Sequence, residues 1–178
     1  MLSLEERSGG ELTKYELLAK SINNNLRVSM PGIITYFNPV EQIVNVKPCI
    51  KEKITQEDGS IAEVELPELL DLPIVIPQAG GYSITFPIQV GDECLVIFGD
   101  MCIDAWFSSG DVQSQIESRR HDLSDGFAII GISSQPKRIT NYSGNSMQIR
   151  NSDGSAYIDI NGSIINLVGT VKINGVVK

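Results

Sequence analysis

"LPIVIPQAGGYSITFPIQVGDECLVIFGD", Leu72 to Asp100, is the stretch on which the fold turns. Pro77, Gly80-Gly81, Pro87 and Gly91-Asp92 cut it into short pieces, and each piece is rich in β-branched or aromatic residues. That combination reads as strands separated by turns, with "QVGDECLV" a Gly-Asp turn entering a strand. Working upstream, "MPGIITYFNPVEQIVNVKP" (Met30–Pro48) gives two more strands around Asn38-Pro39. Downstream, "AWF" (Ala105–Phe107) and "GFAIIGI" (Gly126–Ile132) supply the last ones. About five or six short strands with turn chemistry between them suit a small antiparallel barrel. The expectation is a mainly β protein with an OB-like antiparallel β-barrel over residues 30–135.

Either side of the barrel the period changes. In residues 1–29 the apolar positions Leu12, Tyr15, Leu18, Ala19 and Ile22 recur at three- and four-residue steps, predicting a short amphipathic helix. Asn23-Asn24-Asn25 and then Pro31-Gly32 stop it. One such helix cannot fold alone, so it must dock on its own domain or on a partner.

Residues 136–178 are a third text. From Ile139 onward there is no proline and no cysteine, and Asn and Gly are frequent. "IDING", "INLVG" and "VKING" place Ile160, Leu167 and Ile173 at steps of seven and six, a weak short-period repeat of the kind that builds a β-helix. "MQIRNSDG" fits more loosely and adds Ile149. Each strand offers two or three inward candidates: Ile158 and Ile160, Ile165 and Leu167, Val171 and Ile173. So few apolar side chains cannot close a core, and the strand edges would stay unpaired. Three chains wrapped on one axis would cure both defects, giving an intertwined trimeric β-helix. A monomeric meander or a frayed terminus is the competing reading of this pattern.

Composition narrows the function. Lys+Arg 14 against Asp+Glu 22 leaves a net charge of −8. Such a surface disfavours phosphate backbones and anionic lipid. With aromatics at 6%, an OB-type nucleic-acid platform is disfavoured too. Cys49, Cys94 and Cys102 are odd in number and form no CxxC pair, which argues against a disulfide framework or a zinc site. "MLSLEERSGG" lacks the basic and apolar regions of a signal peptide, so synthesis in the cytoplasm without a Sec signal is expected.

The lone histidine, His121, sits in "RRHDLSDGFAIIG" (Arg119–Gly131). With Asp122 it could orient a general base, but the sequence supplies neither a nucleophile elbow nor a second histidine ligand. Asp122 and Asp125-Gly126 fit a turn before a closing strand. The expectation is that His121, Asp122 and Asp125 hold a loop together, with no catalytic residue, metal or cofactor.

Four segments in the same order carry a resemblance: Met30–Pro48, Leu72–Asp100, "IDAWFSSG" (Ile103–Gly110) and Arg119–Gly131. Together they resemble the central spike, or membrane-puncturing, proteins of contractile phage tails and phage-tail-like particles. The resemblance implies an OB-type barrel followed by a trimeric needle, in a virion or tail-like particle. It also implies a mechanical role, with a baseplate hub or tube-end protein at the barrel and transient contact with the bacterial envelope at the point. Many such spikes close their tip with paired histidines on iron. This chain has no histidine after His121 and ends "VKINGVVK", so no tip metal is expected. Packed Val176 and Val177, or a small separate tip protein, would close the point instead. The alternative function is a component of the same particle that degrades cell wall or surface polysaccharide.

Overall fold

The computed structural model describes residues 11–56 and 58–177. The chain divides into two compact units, Met1–Ile132 and Ser133–Lys178. In the first, helix α1 (Glu11–Asn25) precedes β1 (Ser29–Asn38), β2 (Ile43–Pro48), β3 (Glu52–Thr55), β4 (Ile61–Val64) and β5 (Leu69–Val75). The hairpin β6 (Gln78–Ala79) and β7 (Tyr82–Ser83), then β8 (Glu93–Phe98), helix α2 (Asp104–Ser109) and β9 (Gly126–Ile130) complete the unit.

Five of these strands close a barrel in the order β1–β2–β5–β9–β8, the OB-like arrangement expected. One seam corrects the antiparallel expectation: β5 and β9 run parallel, with Ile74 opposite Ala128 and Val75 opposite Ile129. In the chain, β8 lies between them and runs opposite to both, so β5 and β9 point the same way and meet as neighbours. Turn signals reveal that strands exist; they do not reveal this order.

Period-2 alternation fills the barrel. Cys94, Val96 and Phe98 of β8 turn inward, joined by Ile34, Val44, Val46, Leu69, Leu72 and Ala128. Burying each of the larger side chains stabilises by about 1.5–3 kcal/mol. The interior has no slack at Gly126, where a Cβ would meet Val96 at 2.9 Å and Leu72 at 3.1 Å.

Two further expectations are corrected. "AWF" is helical, not a strand: Asp104 opens α2, and Gly110 (φ 69°) closes it by donating its N–H to the Trp106 carbonyl at 2.8 Å. Trp106 packs on Phe127 of β9 with ring centroids 5.7 Å apart, yet stays about half exposed, as does Phe107. The acidic stretch "AEVELPELLDLP" (Ala62–Pro73), whose sequence reads as an exposed loop flanking a strand, is not only a loop. Glu63 lies in the β3–β4 hairpin opposite Lys53, and Asp71 lies in β5 with φ 55° beside a register shift.

The second unit holds β10 (Met147–Arg150), β11 (Tyr157–Asn161), β12 (Ile164–Val168), β13 (Lys172–Ile173) and β14 (Val176–Val177). Strands β10, β11 and β12 make an antiparallel sheet in sequence order, and β13 pairs with β14. The last hairpin turns on Asn174 (φ 51°) and Gly175 (φ 80°), a pair suited to the left-handed backbone of a tight hairpin.

Candidate functional site

The register of the β10–β12 sheet sorts its side chains by chemistry. Met147, Ile160 and Ile165 form one cross-strand row, and Ile149, Ile158 and Leu167 the next on the same face. That face is wholly apolar, and its members are between 39% and 67% exposed. Together they leave on the order of several hundred Å² of apolar surface in water, a patch of the size that often marks an interaction site on a soluble domain. The sequence-predicted Ile149, Ile158, Ile160, Ile165 and Leu167 are thus brought together. Val171 is half-buried and Ile173 exposed, on and beside β13. Val176 and Val177 form β14, and their side chains lie outside the described residues. Met147 was missed by the strand-repeat reading because "MQIR" lies outside the clear repeat.

The opposite face is polar at its centre. Gln148, Asp159 and Asn166 stand in one row. Gln148 Nε2 donates to Asp159 Oδ1 at 3.1 Å and Asn166 Nδ2 to Asp159 Oδ2 at 3.3 Å. Hydrogen bonds from Ser146, then Gln148, hold the Asp159 carboxyl below its usual range. The turn between β10 and β11 is fixed by Asp153, which accepts from Ser155 N–H at 2.9 Å and Ser155 Oγ at 2.8 Å. Residues 133–178 carry five Lys/Arg and two Asp/Glu, a balance of +3, against −11 for residues 1–132.

A second constellation lies between β8 and β9 in the barrel unit. Asp125 is fully buried. Arg119 meets it side-on, Nε to Oδ2 and Nη2 to Oδ1, both 3.0 Å. Asp125 Oδ1 also accepts the Ile103 N–H at 3.0 Å, while its carbonyl accepts the Gly99 N–H at 2.7 Å. Arg119 reaches further to Asp104 Oδ2 (2.9 Å), Glu117 Oε2 (2.9 Å) and Cys102 Sγ (3.2 Å). One guanidinium therefore ties the start, the helix and the end of the 99–125 loop. Its hydrogen bond to Asp104 holds that carboxyl low.

Cys102, Asp104 and Asp125 have the mutual spacing of metal ligands. Arg119 Nη2 already bonds all three, so a cation would have to displace an arginine. Cys94 is buried in the barrel, and desolvation pushes its thiol up to about 11.

His121 pairs with Asp100, Nε2 to Oδ1 at 3.3 Å, rather than with Asp122. Arg120 shares the same carboxylate at 2.9 Å. Nδ1 of His121 is buried without a partner, and the residue holds φ 48°. Asp122 instead accepts from Ser124 N–H (2.9 Å) and Oγ (2.8 Å), which lowers its pKa. Its carbonyl accepts the Asp125 N–H at 3.1 Å, making the expected turn. Asp125 does more than turn the chain: it is the loop's buried anchor. Arg119 had no assigned role in the sequence reading. The available signal was its position six residues before an aspartate that leads directly into an apolar strand.

A sequence model described as "Phage protein Gp138 N-terminal domain" matches residues 30–131, the barrel with its 99–125 loop. No curated protein matches the chain.

Proposed function

We infer that this chain, which belongs to the family of the phage protein Gp138 N-terminal domain, is the central spike of a contractile phage tail or tail-like particle. Three copies assemble, with the apolar faces of their β10–β12 sheets turned to one axis. The C-terminal segments then form a needle that passes through the bacterial envelope when the sheath contracts. The barrels meet the hub or the end of the tail tube. The role is mechanical, and no bond in the target is broken.

One observation carries this reading: a sheet with six apolar side chains on one face and a satisfied polar row on the other. A monomer would leave the first face in water. Three copies remove it from water and cover the sheet edges. In such an assembly the interlocked chains resist unfolding under load because none can leave alone.

Light scattering on the purified chain tests it, with an expected mass about three times 19.4 kDa. A mass of one chain overturns the reading. Release of sugars or peptides from purified cell wall would instead support a degradative role.

A further inference from the structure

Helix α1 leaves the apolar residues described on it uncovered. Tyr15, Leu17, Leu18 and Ile22 are each more than half exposed, and Leu26 nearly so. The sequence reading required this helix to dock on its own domain or on a partner, and the described apolar residues of the helix are not covered by the domain.

The spacing of the stripe identifies the partner. Leu12, Tyr15, Ala19, Ile22 and Leu26 step by three, four, three and four residues. Leu26 belongs to the run because its N–H still bonds the Ile22 carbonyl at 3.0 Å, continuing the helical turn. A 3-4-3-4 step gives one apolar face to a helix and is also the spacing of a coiled-coil seam, which another copy of the same helix can complement. We propose that α1 from three copies of this chain forms a parallel coiled coil along that seam, at the opposite end of the sequence from the needle strands. This rests on the trimeric reading above.

Charge and length favour the same occupant. Glu11, Lys14, Glu16 and Lys20 all lie off the seam and cancel. Three copies of α1 therefore meet without net repulsion, although the whole chain carries −8. A basic partner protein would be drawn to the acidic barrel unit, not to a neutral stripe. From Leu12 to Leu26 the seam runs only about 21 Å at 1.5 Å per residue. Two heptads are too short to associate as free helices. Tethered to a trimer they meet at high local concentration, and the seam closes without needing affinity of its own.

The test uses the full chain with the exposed Cys49 replaced (Cys49→Ser) and one new thiol. Ala19→Cys places it on the seam; Leu17→Cys places it on the outer side of the same helix. Both positions are exposed in one chain, so neither variant disturbs the barrel. Mild oxidation of the trimer should link two of every three Ala19→Cys chains, at least ~10-fold faster than Leu17→Cys, as local concentration at the seam dictates. Equal rates in a particle of three-chain mass would overturn the coiled coil and leave the needle reading standing, with α1 then facing a different protein. A one-chain mass overturns both.

Discussion

The barrel unit and the tail unit differ in what they bury. Among the described residues, every buried apolar side chain lies within Met1–Ile132, while the one buried side chain of Ser133–Lys178 is Asp159. The barrel is therefore complete as one chain: its strands meet edge to edge and its alternating residues fill their own interior. The tail sheet satisfies its polar face within the chain and leaves its apolar face to others. A phage structural protein made this way carries one unit with a closed core of its own and one whose apolar face lies in water in a single chain.

The largest effect should come from placing charge on the tail's apolar face. Ile158→Asp would set three carboxylates near one axis, so each assembly suffers the substitution three times over. The expected result is loss of the three-chain mass in sedimentation, with the barrel's thermal transition retained as a separate event. If Ile158→Asp melted the barrel as well, the two units would not be energetically distinct. If it left the trimer intact, the apolar face would not be its core.

Next comes the buried anchor of the barrel. Arg119→Ala would strand Asp125, a fully buried carboxylate, and cost about 3–5 kcal/mol in urea unfolding of the barrel. Arg119→Lys should recover only part of that, because an ammonium cannot make the side-on pair that Nε and Nη2 make at 3.0 Å. Neither change should alter an assembly held by the tail unless the barrel unfolds. Smaller again is Gly126→Ala. Its Cβ would press on Val96 and Leu72, an overpacking cost of about 1–3 kcal/mol.

Acid should act on the tail through Asp159. Its carboxyl is held below the unfolded value by Ser146, Gln148 and Asn166. A depressed folded pKa contributes stability that is present above the unfolded value near 4 and is lost as pH falls through the folded one. The melting temperature of the tail unit should therefore drop below about pH 4. In Asp159→Asn it should be lower at neutral pH, because an amide NH₂ now faces donors, and its acid dependence should be shallower.

These contrasts explain what could be read in the residues and what could not. The barrel was legible because burial alternates within single strands: Cys94, Val96 and Phe98 are spaced by two, and glycine and proline mark the turns between. The tail's apolar face was legible in part: the alternation within each strand and the step of seven from Ile160 to Leu167 fall on one face of the β10–β12 sheet, while Ile173, the next step of six, lies in the separate β13–β14 hairpin. Helix α2 was not legible, since "AWF" is too short to show a period and the deciding residues, Asp104 and Gly110, stand outside it. The Arg119–Asp125 pair was hidden for a different reason. It is set by the path of the 99–125 loop, and no periodicity links an arginine to an aspartate six residues later.

The smallest expected effect separates backbone from side chain at His121. Its ring bonds Asp100, a carboxylate 67% exposed, so that pair contributes about 0–1 kcal/mol in solvent. Its backbone, at φ 48°, sits where a side chain costs about 1 kcal/mol or more and glycine costs little. Two substitutions then differ in sign of compensation. His121→Ala loses the ring and keeps the strain, so barrel stability should fall by about 1 kcal/mol or less. His121→Gly loses the ring but relieves the backbone, and should match or exceed His121→Ala in thermal unfolding. Were His121→Gly clearly the weaker of the two, the loop would depend on a stiff residue here rather than on its Asp125 anchor, and the ranking of Arg119 above His121 would have to be reversed.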